Sequence, residues 1–339
     1  MNTTLKRLIR AAAVAAVLAT PSLAAPPVQD QGTINVPPEE ATAYAPIEKA
    51  ATVDESIAAA KAFIAKYPKS AALPQVEIAL YNKIVATPKD DKRLAYNASF
   101  REIFPASDRN ADLDRSMVDY YIAKGDMATI AKVSEAYLVK HPDDVTTHYL
   151  LLRIAVDGLK RQDGSMLQSG QTHGKRAIEL LEGATPPVGF KDPAEWQKYK
   201  DENLGLAYQS YGIIGLATGD SAMASTYLTK ATVASPTDPL NFLFLASLKE
   251  NEYEALAKQF NAMPDRKSAD AKKVLESANA KVDEMIPLYA KAFVLSENKP
   301  EFAPINTNAK QGLEEHYKQR HDGKLDGLDA VLKTARETK

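Results

Sequence analysis

The sequence contains no cysteine among its 339 residues. A disulfide framework, a thiolate zinc site, a cysteine nucleophile and a lipid-modified N-terminal cysteine are therefore excluded. Aromatic residues make up only 7%, and the 15 glycines and 20 prolines are too few for a collagen-like or wholly disordered chain. The net charge of −2 provides no general attraction to nucleic acid, so we expect no nucleic-acid partner.

Long apolar runs are also lacking, and the longest lies within residues 1–24. There a basic region with Lys6 and Arg10 precedes a short apolar stretch, and Ser22 and Ala24 place small residues at positions −3 and −1 of a cleavage site. The stretch is shorter than the roughly 20 apolar residues that span a bilayer. We expect a signal peptide that is cleaved after Ala24, no transmembrane segment, and a bacterial periplasmic location, with release to the medium as the second choice.

Residues 25–51 are polar and rich in proline, and their apolar residues follow no period. They include Pro26-Pro27, Pro37-Pro38 and Pro46. This composition predicts a flexible, partly extended linker between the signal peptide and the folded body.

One helix-ending pattern recurs at a fixed interval after the linker. Tyr67-Pro68, Phe104-Pro105 and His141-Pro142 each have a ring immediately before the proline and an aromatic residue five positions before it. The three prolines are separated by 37 residues each time. Because proline stops a helix, the sequence predicts an internal repeat of helices that end alike.

A second mark divides each unit in two. The interval from Gly125-Asp126 to Pro142 equals the interval from Gly219-Asp220 to Pro236. Glycine supplies a left-handed turn after one helix, and aspartate can cap the next. Each unit is therefore predicted to be an antiparallel helix hairpin.

The segment from Gly205 to Thr237 resembles a tetratricopeptide repeat. The residues that carry the resemblance are the ring and small positions of the first helix, the turn, and the small and apolar positions of the second helix: Tyr208, Tyr211, Gly212, Gly219, Asp220, Ala224, Leu228, Ala231 and Pro236. The family's usual period is about 34 residues, so the longer spacing between the prolines here implies longer helices or loops. The resemblance covers residues 52–264 and implies an all-α solenoid of antiparallel hairpins, which residues 265–339 would close as a C-terminal helical cap.

The spacing of apolar residues and breakers gives the expected elements. Residues 54–67 form a second helix without a clear first partner, and 299–308 are extended. The other expected helices are 73–85, 91–104, 112–124, 127–140, 145–161, 167–182, 192–218, 221–234, 240–263, 268–295 (interrupted by Pro287), 309–321 and 325–334.

Catalytic and metal-binding motifs are not found. The sequence has no glycine-rich phosphate loop, GxSxG elbow or HExxH motif, and its five histidines do not show metal-ligand spacing. We therefore expect no enzyme activity, no cofactor and no metal site.

An acidic run beginning at Asp108 partly matches a calcium loop. Asp108, Asn110, Asp112, Asp114 and Asp119 occupy positions 1, 3, 5, 7 and 12 of that pattern. Leu113 stands where the loop requires glycine, so capping of a nearby helix is the alternative interpretation.

The family resemblance implies a concave groove, lined by the first helices, that holds a protein or peptide partner. By register, the groove positions are Gln75, Ile78, Asn82, Asp112, Arg115, Asp119, Leu206, Gln209 and Ile213. Arg115 is expected to give polar contacts and Ile213 apolar ones. The expected function is a non-enzymatic envelope scaffold or adaptor; the alternative is an exported helical protein with an unrecognised small-molecule, metal or catalytic site.

Overall fold

The computed structural model describes residues 36–187, 189–190 and 192–338, and all regular elements within them are helical. The predicted signal peptide and its cleavage site lie outside the described residues. The all-α fold class is confirmed for the described chain. Its helices are α1 (Pro38–Lys49), α2 (Val53–Lys66), α3 (Leu73–Val85), α4 (Asp91–Ile103), α5 (Arg109–Ser116), α6 (Val118–Lys124), α7 (Met127–Lys140), α8 (Val145–Lys160), α9 (Leu167–Glu182), α10 (Pro193–Thr218), α11 (Ser221–Ala234), α12 (Pro239–Ala262), α13 (Ala269–Ser296), α14 (Ala303–Arg320) and α15 (Leu328–Glu337), with a short 3-10 helix (Pro300–Phe302) before α14.

The described chain divides into two compact units within α8, between Thr147 and His148. The N-terminal unit contains α1 to α7, and the C-terminal unit contains α9 to α15. The division between the units therefore falls inside the expected repeat array. No division falls at the expected boundary of the cap, because α12 and α13, which lie on its two sides, pack against each other.

The prediction of a flexible linker is wrong for residues 38–49, which form α1. Tyr44 and Ile47 of α1 are buried, and the Tyr44 ring lies edge-on to Phe63 of α2 with centroids 6.5 Å apart. The Ser56 hydroxyl of α2 donates a 2.8 Å hydrogen bond to the Ile47 carbonyl. Helix α1 is thus the first helix of the hairpin in which α2 is the second helix. The sequence pattern did not reveal this helix.

The N-terminal unit stacks its hairpins in order. The first helices α1, α3 and α5 contact one another in succession, and the second helices α2 and α4 also contact each other. The expected helix 112–124 is divided at Met117 into α5 and α6. Within each hairpin the apolar faces meet in one core that includes Ile47, Phe63, Leu80 and Phe100. Equivalent helices therefore form the same layer of the unit.

The helix ends predicted from the ring–proline pattern share one backbone geometry. At each of the four ends, the residue before proline has φ between −136° and −124° and ψ between 61° and 70°. Its N–H donates to the carbonyl four residues earlier, and its own carbonyl accepts from the N–H three residues later. In the first three ends, the ring also packs on the aromatic side chain four residues earlier, with centroids 4.2–5.3 Å apart. The four residues are Tyr67, Phe104, His141 and Ser235.

The glycine–aspartate turns are also confirmed. Gly125 and Gly219 adopt left-handed backbone conformations with φ of 71° and 78°. The carboxylates of Asp126 and Asp220 then accept hydrogen bonds from backbone N–H groups in the first turns of α7 and α11. Each turn joins two antiparallel helices as expected.

Small residues let α10 and α11 approach closely in the C-terminal unit. A Cβ atom at Gly212 would come within 2.7 Å of Leu228, and one at Gly215 within 2.7 Å of the Ala224 backbone. Ala224, Leu228 and Ala231 are fully buried. The small and apolar positions predicted for this hairpin therefore form its interface.

Two expectations for the segment 265–339 are wrong. Pro287 does not interrupt α13, and residues 303–308 begin α14 instead of being extended. Pro304 stands in the first turn of α14, where its missing N–H leaves no intrahelical bond unmade. Ile305 is fully buried, and the Asn306 amide donates to the Phe293 carbonyl of α13, so packing holds this turn in place.

No helix in the described ranges is long and apolar enough to span a membrane.

Replacement of Ile47 by alanine tests whether α1 is part of the fold. Ile47 is fully buried, so we expect Ile47→Ala to lower the free energy of unfolding by about 2–5 kcal/mol. Lys49→Ala, at an exposed position of the same helix, should change it by less than about 0.5 kcal/mol. Urea denaturation measures both. Equal, small effects would mean that residues 38–49 are a linker after all.

Candidate functional site

The three predicted groove residues on helix α3 of the N-terminal unit remain accessible. Gln75 and Asn82 are half-buried on α3, with the half-buried Ile78 between them. Spacings of three and four residues place these three side chains on one face of the helix. Asp119 is also half-buried and forms an ion pair with Lys89. The N-terminal unit therefore presents an apolar side chain between two amides.

Arg115 is buried, which contradicts its prediction as an exposed groove residue. Its Nε donates a 2.6 Å hydrogen bond to the Thr147 hydroxyl, and its guanidinium lies over the Tyr137 ring at 5.6 Å. The nearby carboxylates of Asp112 and Asp119 pair with His141 and Lys89. Arg115 thus joins parts of the N-terminal unit and is not available to a partner.

Gln209 and Ile213 are buried within the C-terminal unit and are wrong as groove residues for the same reason. The Gln209 amide donates to Asp238 at 2.7 Å and to Asn241 at 2.8 Å, while Ile213 is only 4% exposed. Burial raises the pKa of the Asp238 carboxyl. Helix α10 contacts α9, α11 and α12, and Gln209 and Ile213 lie on its covered part, whereas the third predicted position, Leu206, is exposed.

The acidic run from Asp108 to Asp119 does not form a calcium loop. Helices α5 and α6 cover nearly all of it, whereas the calcium pattern needs an uninterrupted loop with a tight turn. Its carboxylates take nearby cations instead: Asp108 pairs with Lys140 at 2.9 Å and Asp114 with Arg101 at 2.6 Å.

The C-terminal unit contains a cavity of about 520 Å³ between α15 and the helices α11 to α13. Its lining is mainly apolar and includes Phe242, Ile286, Leu288 and Val331. The size lies in the range of small-molecule sites, roughly 300–1,000 Å³. Its residues come from four helices and carry no shared motif, so no pattern in the sequence indicates this cavity.

Lys291 of α13 is the one charged side chain among the described residues that line this cavity. Its Nζ donates to the backbone carbonyls of Ala335, at 3.1 Å, and of Thr338, at the end of α15. An ammonium group has three N–H donors, and its contacts with the described residues use two of them. The cavity thus combines apolar walls with a single cation.

A buried polar cluster lies elsewhere in the same unit, where α12, α13 and α14 meet. The His316 ring stacks on Tyr289, and the Tyr289 hydroxyl donates to Glu250 at 3.1 Å. His316 Nε2 lies 3.9 Å from the same carboxylate, and its Nδ1 is buried without a hydrogen-bond partner. Burial lowers the pKa of His316 and raises that of Glu250. Neither residue lines the cavity beside α15.

His148 and His173, which sequence spacing did not associate, are neighbours in the C-terminal unit. Their Nδ1 atoms are 3.0 Å apart, so one ring donates to the other. Within the described ranges no group of three or more histidine, aspartate or glutamate side chains is placed to hold a metal ion. The pair is therefore a hydrogen-bonded contact between α8 and α9.

Comparison of the whole chain with protein-family models and with curated protein sequences gives no match. The resemblance to tetratricopeptide repeats thus depends on the sequence positions between Gly205 and Thr237 alone.

The buried histidine makes stability depend on pH. Because the folded-state pKa of His316 lies below the unfolded value of about 6.5, its neutral form is stabilised by folding. This contribution to the free energy of unfolding is complete at pH values above the unfolded-state pKa. It is lost as the pH falls from the unfolded-state pKa toward the lower folded-state pKa. We expect the wild-type protein to lose more unfolding free energy between about pH 7.5 and about pH 5.5 than His316→Gln does, as measured by urea denaturation. An equal loss in both proteins would contradict the assignment.

Proposed function

We propose that this protein is a non-enzymatic, tetratricopeptide-like scaffold or adaptor of the bacterial cell envelope that binds a protein or peptide partner on the first helices of its N-terminal hairpins. The observation that supports it best is the succession of contacts α1–α3–α5 on one layer and α2–α4 on the other. Stacking of equivalent helices builds a continuous surface in solenoid proteins, and such surfaces bind extended segments.

The export of this scaffold is part of the proposal. It is supported by the basic, apolar and small-residue pattern that ends at Ala24. The mature chain then begins at Ala25. A periplasmic scaffold is also consistent with a sequence that contains no cysteine to oxidise in that compartment.

The partner-binding surface that we propose is centred on Gln75, Ile78 and Asn82 of α3, with Asp119 at its edge. Helix α3 lies between α1 and α5 in the layer of first helices. In its favourable orientation the Gln75 amide donates to the carbonyls of Ala71 and Ala72 at 3.3 Å, which leaves its oxygen to accept from a peptide N–H. The Asn82 amide can both donate to a peptide carbonyl and accept from an N–H. Ile78 between them would meet an apolar side chain of that peptide.

Site-specific photo-crosslinking in the producing cells tests this function. A photoreactive residue at Gln75 or Asn82 should give adducts of one discrete mass in the periplasmic fraction, because both positions would touch the same partner. The matched control is Lys132, which is exposed on the second helix α7 and should give none.

A second substitution separates binding from folding. Ile78→Asp places a charge on the apolar part of the surface and should abolish the Gln75 adduct while the thermal unfolding midpoint stays near that of the parent. Adducts of equal yield at Lys132, or adducts that survive Ile78→Asp, would contradict the proposed surface.

A further inference from the structure

We propose that the cavity beside α15 binds a straight-chain fatty acid, with the acyl chain inside the cavity and the carboxylate on Lys291. This site belongs to the C-terminal unit and does not depend on the peptide surface proposed for the N-terminal unit. The proposed ligand has an apolar chain and one anionic end.

The apolar walls favour an acyl chain as the occupant. Phe242, Ile286, Leu288 and Val331 supply side chains that cannot hydrogen-bond with water, so an apolar ligand that covers them is favoured by the release of that water. A volume of about 520 Å³ suits a slender single chain. Each methylene group that leaves water for such walls strengthens binding by about fourfold.

The hydroxyls of the lining do not compete for the ligand's anionic end. Thr334 and Thr338 each donate their hydroxyl to a carbonyl one turn earlier in α15, those of Ala330 and Thr334. Thr232 likewise donates to the Thr229 carbonyl within α11. These hydroxyl protons are occupied, so the remaining ammonium donor is the group that an anion would contact.

Lys291 supplies the charge complementarity. Its Nζ already holds two carbonyls at the end of α15, and a carboxylate oxygen would complete its three donors. A peptide would suit the cavity less well, because its backbone N–H and C=O groups would need partners that these walls do not supply.

Helix α15 forms one wall and is held at few points. Ala335 is the one buried side chain of α15. Arg336 pairs with Glu297 at 3.0 Å, and Lys291 holds the final carbonyls. The cavity is already partly open to solvent, so an acyl chain can enter it without displacement of this helix.

Calorimetric titration of the purified mature protein with saturated fatty acids of about eight to about fourteen carbons tests the proposal. We expect the dissociation constant to fall about fourfold per added methylene until the cavity is full. The acid should also bind roughly tenfold or more tightly than its methyl ester, because the ester cannot form the charged contact with Lys291.

Two variants and one control separate the head-group and chain contributions. Lys291→Met should abolish the preference for the acid over the ester, and any loosening of α15 should weaken both ligands alike. Val331→Trp should fill the cavity and weaken both ligands. Lys333→Met removes a positive charge from an exposed position of α15 and should bind like wild type.

Each contrary result overturns the proposal. These results are no saturable binding, an affinity independent of chain length, equal affinity for acid and ester in the wild-type protein, or tighter binding of an apolar peptide. The acid-to-ester comparison needs no substitution, so it decides the head-group assignment even where a variant fails to fold.

Discussion

The residue before each helix-ending proline is the constraint on which the hairpin arrangement depends. Proline disfavours the helical conformation in the residue that precedes it, and the four such residues share φ near −130° and ψ near 65°. The chain then turns by the same hydrogen bond three residues later in every case. Repetition of one local geometry therefore fixes the direction in which each new hairpin begins.

The same loops explain why predicted groove residues became buried. Asn110 and Asn241 each lie five residues after the proline and donate to the carbonyl before it, at 2.9 and 3.1 Å. Thr147 holds the equivalent position after Pro142 and accepts from Arg115. Polar side chains near the first helices are consequently used for contacts inside each unit, which removes Arg115 and Gln209 from the partner surface.

Much of the fold could be predicted from local chemistry, because prolines, glycines and aspartates set helix ends through short-range sterics and capping. Helix α1 was missed because its prolines suggested a linker. Yet Glu40 and Tyr44 recur one repeat later as Glu77 and Tyr81, and in both hairpins the glutamate accepts from the serine two residues after the proline. Comparison of whole repeat units would have found this helix.

The candidate sites were less predictable, because they depend on which surfaces the packing leaves open. A family register can mark Ile213 as a groove residue, but Ile213 is buried on a helix that contacts three others. The cavity around Lys291 arises from the packing of α15 against three consecutive helices, so no spacing reveals it. The N-terminal unit thus offers a half-buried amide and isoleucine surface, and the C-terminal unit offers an apolar cavity with one cation.

Residue-resolved amide hydrogen exchange tests the central claim, that four equivalent helix ends before proline and α1 define the hairpins. The N–H groups of Tyr67, Phe104, His141 and Ser235 all donate to carbonyls four residues earlier, and the interior N–H groups of α1 are helical. We predict that these amides exchange much more slowly than in an unfolded chain. Exchange at the unfolded-chain rate in α1, or at the four ends, would contradict this claim.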